Sequence, residues 1–287
     1  MPGSEVEELA DFGYKMGYTV GQLLRLGDTI VPASFLVLNW QARRRVTNED
    51  VQQVLVSVPI YLKSFLSRRS SWSSLLLLPA VYTFLWCIWS FVPENPIREW
   101  ILENFYELSA LVYSIFSAFW LSKLYQYWYE AKGKSVAGEP LGKIRYWTLF
   151  YCMLAVGFGK ATPFLYSAFF VFYAFVAIRA NLCLAFLFTN KGSLLRAAGD
   201  SFNFAHGRFW EMARLFSSAS FFACAVFMGR QYFYNLEMAK LLTEPIMCNL
   251  VGAFVDTLAA LIWLLLDSII LLRGLEYLEL RSASVIV

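Results

Sequence analysis

The stretch that decides the fold is Pro245 to Leu272, PIMCNLVGAFVDTLAALIWLLLDSIILL, whose only charges are Asp256 and Asp267. As a helix rising about 1.5 Å per residue it would run about 42 Å, against a hydrocarbon core of about 30 Å. It therefore reads as a membrane span. Asp256 and Asp267 stand about three turns apart and share a face, and Asn249 falls close to that face. One side of this helix is polar and the other apolar. A carboxylate at mid-membrane costs at least about 2.5 kcal/mol. The polar side must meet protein or a wet cavity, which requires further helices around it.

Composition supplies them. Of the 287 residues, 59% are apolar, 18% aromatic and 16% charged, with a mean hydropathy of +0.52. These values exclude a disordered or an ordinary soluble protein. The net charge of +3 is small and scattered, so nucleic acid is not an expected partner. Cys87, Cys152, Cys183, Cys224 and Cys248 all lie in apolar segments without a CxxC pair, and read as small buried hydrophobes. The single histidine, His206, leaves no His-based metal site or bis-His haem within one chain. There is no GxxxxGK[ST] phosphate loop and no GxSxG nucleophile elbow. No catalytic residue, metal or cofactor is expected, and the chain is not read as an enzyme. The start, MPGSEVEELADFGYKMG, is acidic and lacks the apolar core of a cleavable signal.

The expected fold is all-α: a polytopic bundle of about six transmembrane helices over 71–287, preceded by an N-terminal region of interfacial amphipathic helices over 1–70. Expected spans are Trp72–Val92, Leu108–Ser122 with an earlier start near Ile101, two spans within Tyr146–Thr189, Leu215–Gly229, and Pro245–Leu272. Forty-four residues from Tyr146 to Thr189 are too many for one span, and Gly157, Gly159, Lys160 and Pro163 mark the expected turn. Ala219 with Ala223, Ala225 with Gly229, and Gly252 with Ala260 are small positions suited to close helix approach. Residues 5–24 are amphipathic, with Ser4 as N-cap and Glu7 three residues on. The run Thr29–Trp40 is too short to span. Thr47 with Asp50 resembles a capping box ahead of a helix whose Val51, Val54, Leu55, Val58, Leu62 and Phe65 share a side, flanked by Lys63, Arg68 and Arg69. Such a basic amphipathic helix either lies at a membrane surface or packs on the end of the bundle.

Charge orients the spans. Nineteen of the 24 Lys and Arg residues fall before Trp72, in the 123–145 and 190–214 loops, or in the tail at Arg273 and Arg281. By the positive-inside rule these segments and both termini share the cytoplasmic side or its topological equivalent.

Asp256 is the first candidate for a substrate or ion pathway or a buried ion pair, with Asp267 and Asn249 on its face. Lys160 and Arg179, the charges of the 146–189 region, are the expected counter-cations. Asp267 lies six residues from Arg273 and is expected nearer the interface. Arg179 can also snorkel to the membrane surface.

Two segments carry a resemblance. ANLCLAFLFTNKGSLLRAAGDSF, with Ala198, Asp200 and Phe202, precedes a proline-led last span, with Pro245, Asp267, Glu276 and Glu279. Between Asn181 and Glu279, about a third of the chain, this resembles the C-terminal part of choline transporter-like proteins. Members of that family are much longer, and the stretch between the two motifs is shorter here. The resemblance, with Asp256 on a polar helix face and the breaks at Gly159 and Pro163, implies a multi-pass transporter of a small organic cation or another small solute. The competing expectation is a non-catalytic structural or assembly subunit of a larger membrane complex. Membrane lipids are expected partners under both, with other membrane subunits or self-association.

Overall fold

A computed structural model describes residues 30–73, 75–91, 96, 100, 104–135, 141–190, 193–236 and 245–284, with backbone alone at 89–91, 106, 155–173, 231–236, 245–248 and 283–284. All regular structure among them is helical. The helices are α1 (30–45), α2 (Glu49–Leu66), α3 (Arg69–Trp72), α4 (Leu77–Phe91), α5 (Phe105–Ala131), α6 (Leu141–Thr189), α7 (Leu194–Ala205), α8 (Phe209–Leu236) and α9 (Pro245–Ser284). The expected helix over 5–24 and its Ser4 cap lie outside the described residues.

Helix α9 is the centre of the bundle and packs against α2, α4, α5, α6 and α8. It opens on Pro245, as expected, because proline at the first helical position loses no hydrogen bond and its φ is already helical. It then runs 40 residues, beyond Leu272. Four stretches are long and apolar enough to cross a membrane: Arg69–Ile88, Glu107–Ala131, Phe209–Arg230 and Asn249–Ser282, with Ala174–Thr189 a shorter apolar helix. These mark a membrane protein. Two expected spans were drawn too short. The second extends to Ala131 and the fifth to Leu236, since polar residues near a helix end do not stop its backbone hydrogen bonding.

Helix α6 is assigned as 49 residues, and its backbone is helical through the expected turn at Gly157–Pro163. A straight helix would separate Trp147 from Cys183 by about 54 Å. Instead Trp147 and Tyr151 pack against the buried cluster of Cys183, Leu187 and Ala197. Arg145 Nε donates to Ser122 Oγ at 2.9 Å, while the Phe188 ring lies 5.0 Å from that of Tyr125, one turn further along α5. The stretch therefore turns back on itself between 151 and 183. Its two limbs lie side by side with both ends at one end of the bundle.

That end gathers the basic segments. At the close of α5, Gly133 takes φ +71°. Gly133 N–H donates to the Glu130 carbonyl and Lys134 N–H to that of Tyr129, a left-handed glycine cap. The cap turns Lys132 and Lys134 toward the end of α9. Lys132 Nζ is 3.0 Å from Glu276 and 2.9 Å from Glu279, and Lys134 Nζ is 2.8 Å from Glu279. Burial opposes the charge on Lys132, but hydrogen bonds and charges from Glu279 and Glu276 outweigh it and raise the amine above its ordinary range. On the adjoining side Arg281 reaches Glu211 at 3.2 Å and Asp50 at 3.5 Å.

The Asp50 contact shows where α2 sits. It stands against α9, α8 and α5 with Val51, Val54, Val58 and Phe65 buried. Its cap is Asn48, not Thr47: Asn48 Oδ1 accepts from Asp50 N–H at 2.9 Å, and Asn48 Nδ2 donates to Glu211 at 3.3 Å. The amide serves both bonds at once, its oxygen as acceptor for the cap and its NH2 as donor to α8. Val56 and Ile60 remain exposed on the outer face.

Candidate functional site: two carboxylates inside the bundle

Asp256 lies on the buried face of α9, 2% exposed. Arg230 Nε, on α8, donates to its Oδ1 at 2.6 Å. Trp86 Nε1, on α4, donates to Oδ2 at 3.0 Å. Both oxygens are engaged by groups from neighbouring helices. Gly252, one turn earlier, makes the tryptophan contact possible: a Cβ there would stand 2.6 Å from the indole. The indole lies against α9 at Gly252 and meets the Phe105 ring in a T-shaped contact at 5.1 Å between centroids. Asn249 is buried on the same side.

Of the two expected counter-cations, Arg179 does not partner Asp256. The Lys160 side chain lies outside the described residues. Arg179 sits over the Phe175 ring at 4.3 Å, and its backbone carbonyl accepts from Ser201 Oγ. A cation that does reach Asp256 is Arg230. It stands one residue beyond the expected end of the fifth span, so it reads as loop until the helix is seen to continue to Leu236. The arginine itself was the available signal, since a charge just past a short apolar run can lie on the buried face of a longer helix.

Asp267 lies about 16 Å further along the same face. It accepts a hydrogen bond from the Tyr113 hydroxyl of α5. Among the described residues no cation pairs with it, and Arg273 turns away to donate to the Leu215 carbonyl and Ser218 Oγ on α8. Asp267 and Arg273, six residues apart, therefore do not pair with one another. Its surroundings are rich in hydroxyl and aromatic groups. Ser268 Oγ accepts from Trp120 Nε1 at 2.8 Å, Cys152 Sγ is 3.5 Å from Ser117 Oγ, and Trp263 meets Tyr113 edge to face. Ser114 and Ser117 are fully buried on α5.

A third carboxylate, Glu276, is buried on the opposite side of α9 and bonded to Trp128 Nε1 and Lys132. It belongs to the ion-pair cluster at the basic end. The bundle therefore holds one carboxylate with its own arginine, Asp256, and one held by a neutral phenol, Asp267. Among the described residues there is no group of three or more His, Cys, Asp or Glu side chains placed to hold a metal ion. Compared with protein-family models, curated proteins and solved structures, the chain matches none of them.

Proposed function

We propose that this chain is a multi-pass membrane protein of about six spans that moves a small solute, an organic cation or a proton-coupled solute, with Asp267 as the residue that takes the charge. The carrying observation is Asp267 itself. It sits on the stretch of α9 apolar enough to cross a membrane, and among the described residues it has a phenol for a partner and no cation. A carboxylate in that setting binds a proton or a cation, because low dielectric penalises the bare anion. Tyr113 holds it in place, and the hydroxyls of Ser114 and Ser117 on α5 give a polar lining. The two limbs of α6 supply the third and fourth spans, and both termini lie on the side of the basic loops.

The test is flux through the purified chain in proteoliposomes, driven by a pH gradient and by a gradient of a choline-like quaternary ammonium ion. Asp267→Asn should abolish flux while leaving the melting temperature within a few degrees of the parent. Equal flux in the parent, the variant and empty vesicles would end the transport reading.

The Asp256–Arg230 pair favours a second reading, a structural or assembly subunit. That carboxylate is already neutralised within the chain, and the pair joins two helices. Sizing of the assembly from native membranes separates the readings: fixed stoichiometry with several other membrane subunits supports assembly, and a lone chain or homo-oligomer supports transport.

A further inference from the structure

Helix α5 and the first limb of α6 face each other across a seam of small polar side chains. Ser122 Oγ accepts from Arg145 Nε at 2.9 Å, and Ser117 Oγ accepts from the Cys152 thiol at 3.5 Å. Arg145 and Cys152 stand about two turns apart on one side of α6, and Thr148 falls between them on that side. Ser117, Ser122 and Thr148 are fully buried, and Cys152 is nearly so.

One end of the seam is Asp267. Tyr113 donates to its carboxylate, and Ser117 follows Tyr113 by one turn on the same face of α5. The other end is half-buried Arg145 with exposed Lys143 beside it, at the basic end of the bundle. Among the described residues, Tyr113 and Cys152 are the titratable groups of neighbouring helices that act on Asp267. Arg273, on its own helix, is bonded to α8.

A buried helical hydroxyl is commonly satisfied by a carbonyl of the preceding turn. Ser114, Ser122 and Thr148 follow that habit, donating to Ala110, Phe119 and Ile144. Ser117 does not. Among the described residues its oxygen is held by the Cys152 thiol, and its own hydrogen goes to no backbone carbonyl. A hydroxyl that accepts on one side and keeps its hydrogen uncommitted can take one proton as it gives another. A seam closed this tightly leaves room for a proton and none for an organic cation.

We propose that Asp267 gains and loses a proton through Tyr113, Ser117 and Cys152, with Thr148 continuing the route to the basic end. The proposal rests on Asp267 as the residue that takes the charge, and it names that charge as a proton. On loading, a carboxylate oxygen of Asp267 bonds the phenol hydrogen of Tyr113. The phenol oxygen takes the Ser117 hydrogen, Ser117 takes the thiol hydrogen of Cys152, and the thiol is refilled from water at the basic end by way of Thr148. Each relay group ends with the hydrogens it began with, and the net change is one proton moved from water to Asp267.

The experiment uses the full chain in proteoliposomes holding a trapped pH-sensitive dye. A potassium diffusion potential set by valinomycin drives protons inward, with and without choline, and choline flux is measured on the same vesicles. The parent should carry protons faster than empty vesicles, and Asp267→Asn should abolish the difference. Ser117→Ala and Cys152→Ala should each slow proton entry about tenfold or more, as expected when a positioned proton-transfer group is lost. Cys152→Ser keeps a group that takes and gives a proton and should run close to the parent. It differs from Cys152→Ala by one atom, so a packing defect from the lost thiol would slow both alike. Proton entry that needs Asp267 but is unchanged in Ser117→Ala and Cys152→Ala overturns the route, as does equal slowing in Cys152→Ser and Cys152→Ala. Choline flux that needs Asp267 while no proton moves overturns the proposal and leaves the transport reading standing. Vesicles that move neither end both.

Discussion

Arg230 Nε donates to Asp256 Oδ1 at 2.6 Å, tying the far part of α8 to α9 in a setting where both side chains are less than a tenth exposed. A buried pair of this kind is costly to break from one side. Arg230→Leu should lower stability by about 3–5 kcal/mol, since it leaves a carboxylate without its cation. The double variant Arg230→Leu/Asp256→Leu should recover most of that loss. Thermal unfolding in detergent reads both, and a double variant no more stable than the single one would show that the pair is not the source of the effect.

Gly252 is a tighter constraint than its place in an apolar run suggests. A methyl group there would meet the Trp86 indole at 2.6 Å, and the indole cannot retreat without withdrawing Nε1 from Asp256. Gly252→Ala should cost about 1–3 kcal/mol, the range for overpacking, and should shift the emission of the tryptophan population. Gly274 is the matching point on the other side, where a Cβ would stand 2.5 Å from that of Ala185. Gly274→Ala should loosen the return limb of α6, read as faster hydrogen exchange over 182–189.

The turning back of α6 predicts topology. Lys134 precedes α6 and Arg196 follows it, and both side chains are exposed. Single cysteines at these two positions, in a chain lacking its native cysteines, should react with a membrane-impermeant reagent from the same side. Labelling from opposite sides would mean that α6 crosses once.

Glu276 anchors the ion-pair cluster at the basic end. Glu276→Gln removes the charge facing Lys132 and should lower stability by about 1–3 kcal/mol. The pH dependence follows from the raised Lys132 amine. A cation held more strongly in the folded state stabilises it below its unfolded pKa of about 10.4 and loses that contribution as pH climbs through the higher folded value. The difference in melting temperature between parent and variant should therefore stay flat from pH 6 to 9 and shrink in more alkaline solution.

Much of the architecture is legible in the residues. The long apolar runs, Pro245 as a helix start and the shared face of Asn249 and Asp256 follow from composition, φ preference and helical period. The gathering of the basic segments at one end agrees with their charge asymmetry. The partners are less legible. Arg230 and Trp86 lie 26 and 170 positions from Asp256; a charge just past a short apolar run hints at Arg230, and nothing local to Trp86 announces the meeting. Tyr113 reads as one aromatic among many, and its role appears only once α5 lies parallel to α9. Span lengths failed for a related reason: hydropathy marks where the chain is apolar, whereas the helix continues as far as its backbone bonds are satisfied.

Helix α9 runs 40 residues without a break, about 60 Å or twice the thickness of a hydrocarbon core. It carries the Asp256 bond near one end and the Glu276 and Glu279 ion pairs near the other. A continuous helix is stiff in torsion, so it acts as a single axle. A turn of about 20° about its axis would sweep side-chain tips through about 2 Å, given a helix radius of about 5–6 Å. That is enough to part a hydrogen bond at either end. A rotation of α9 would therefore act on the Asp256 bond and on the Lys132–Glu276 contact together, with no signal needing to pass from side chain to side chain along the way.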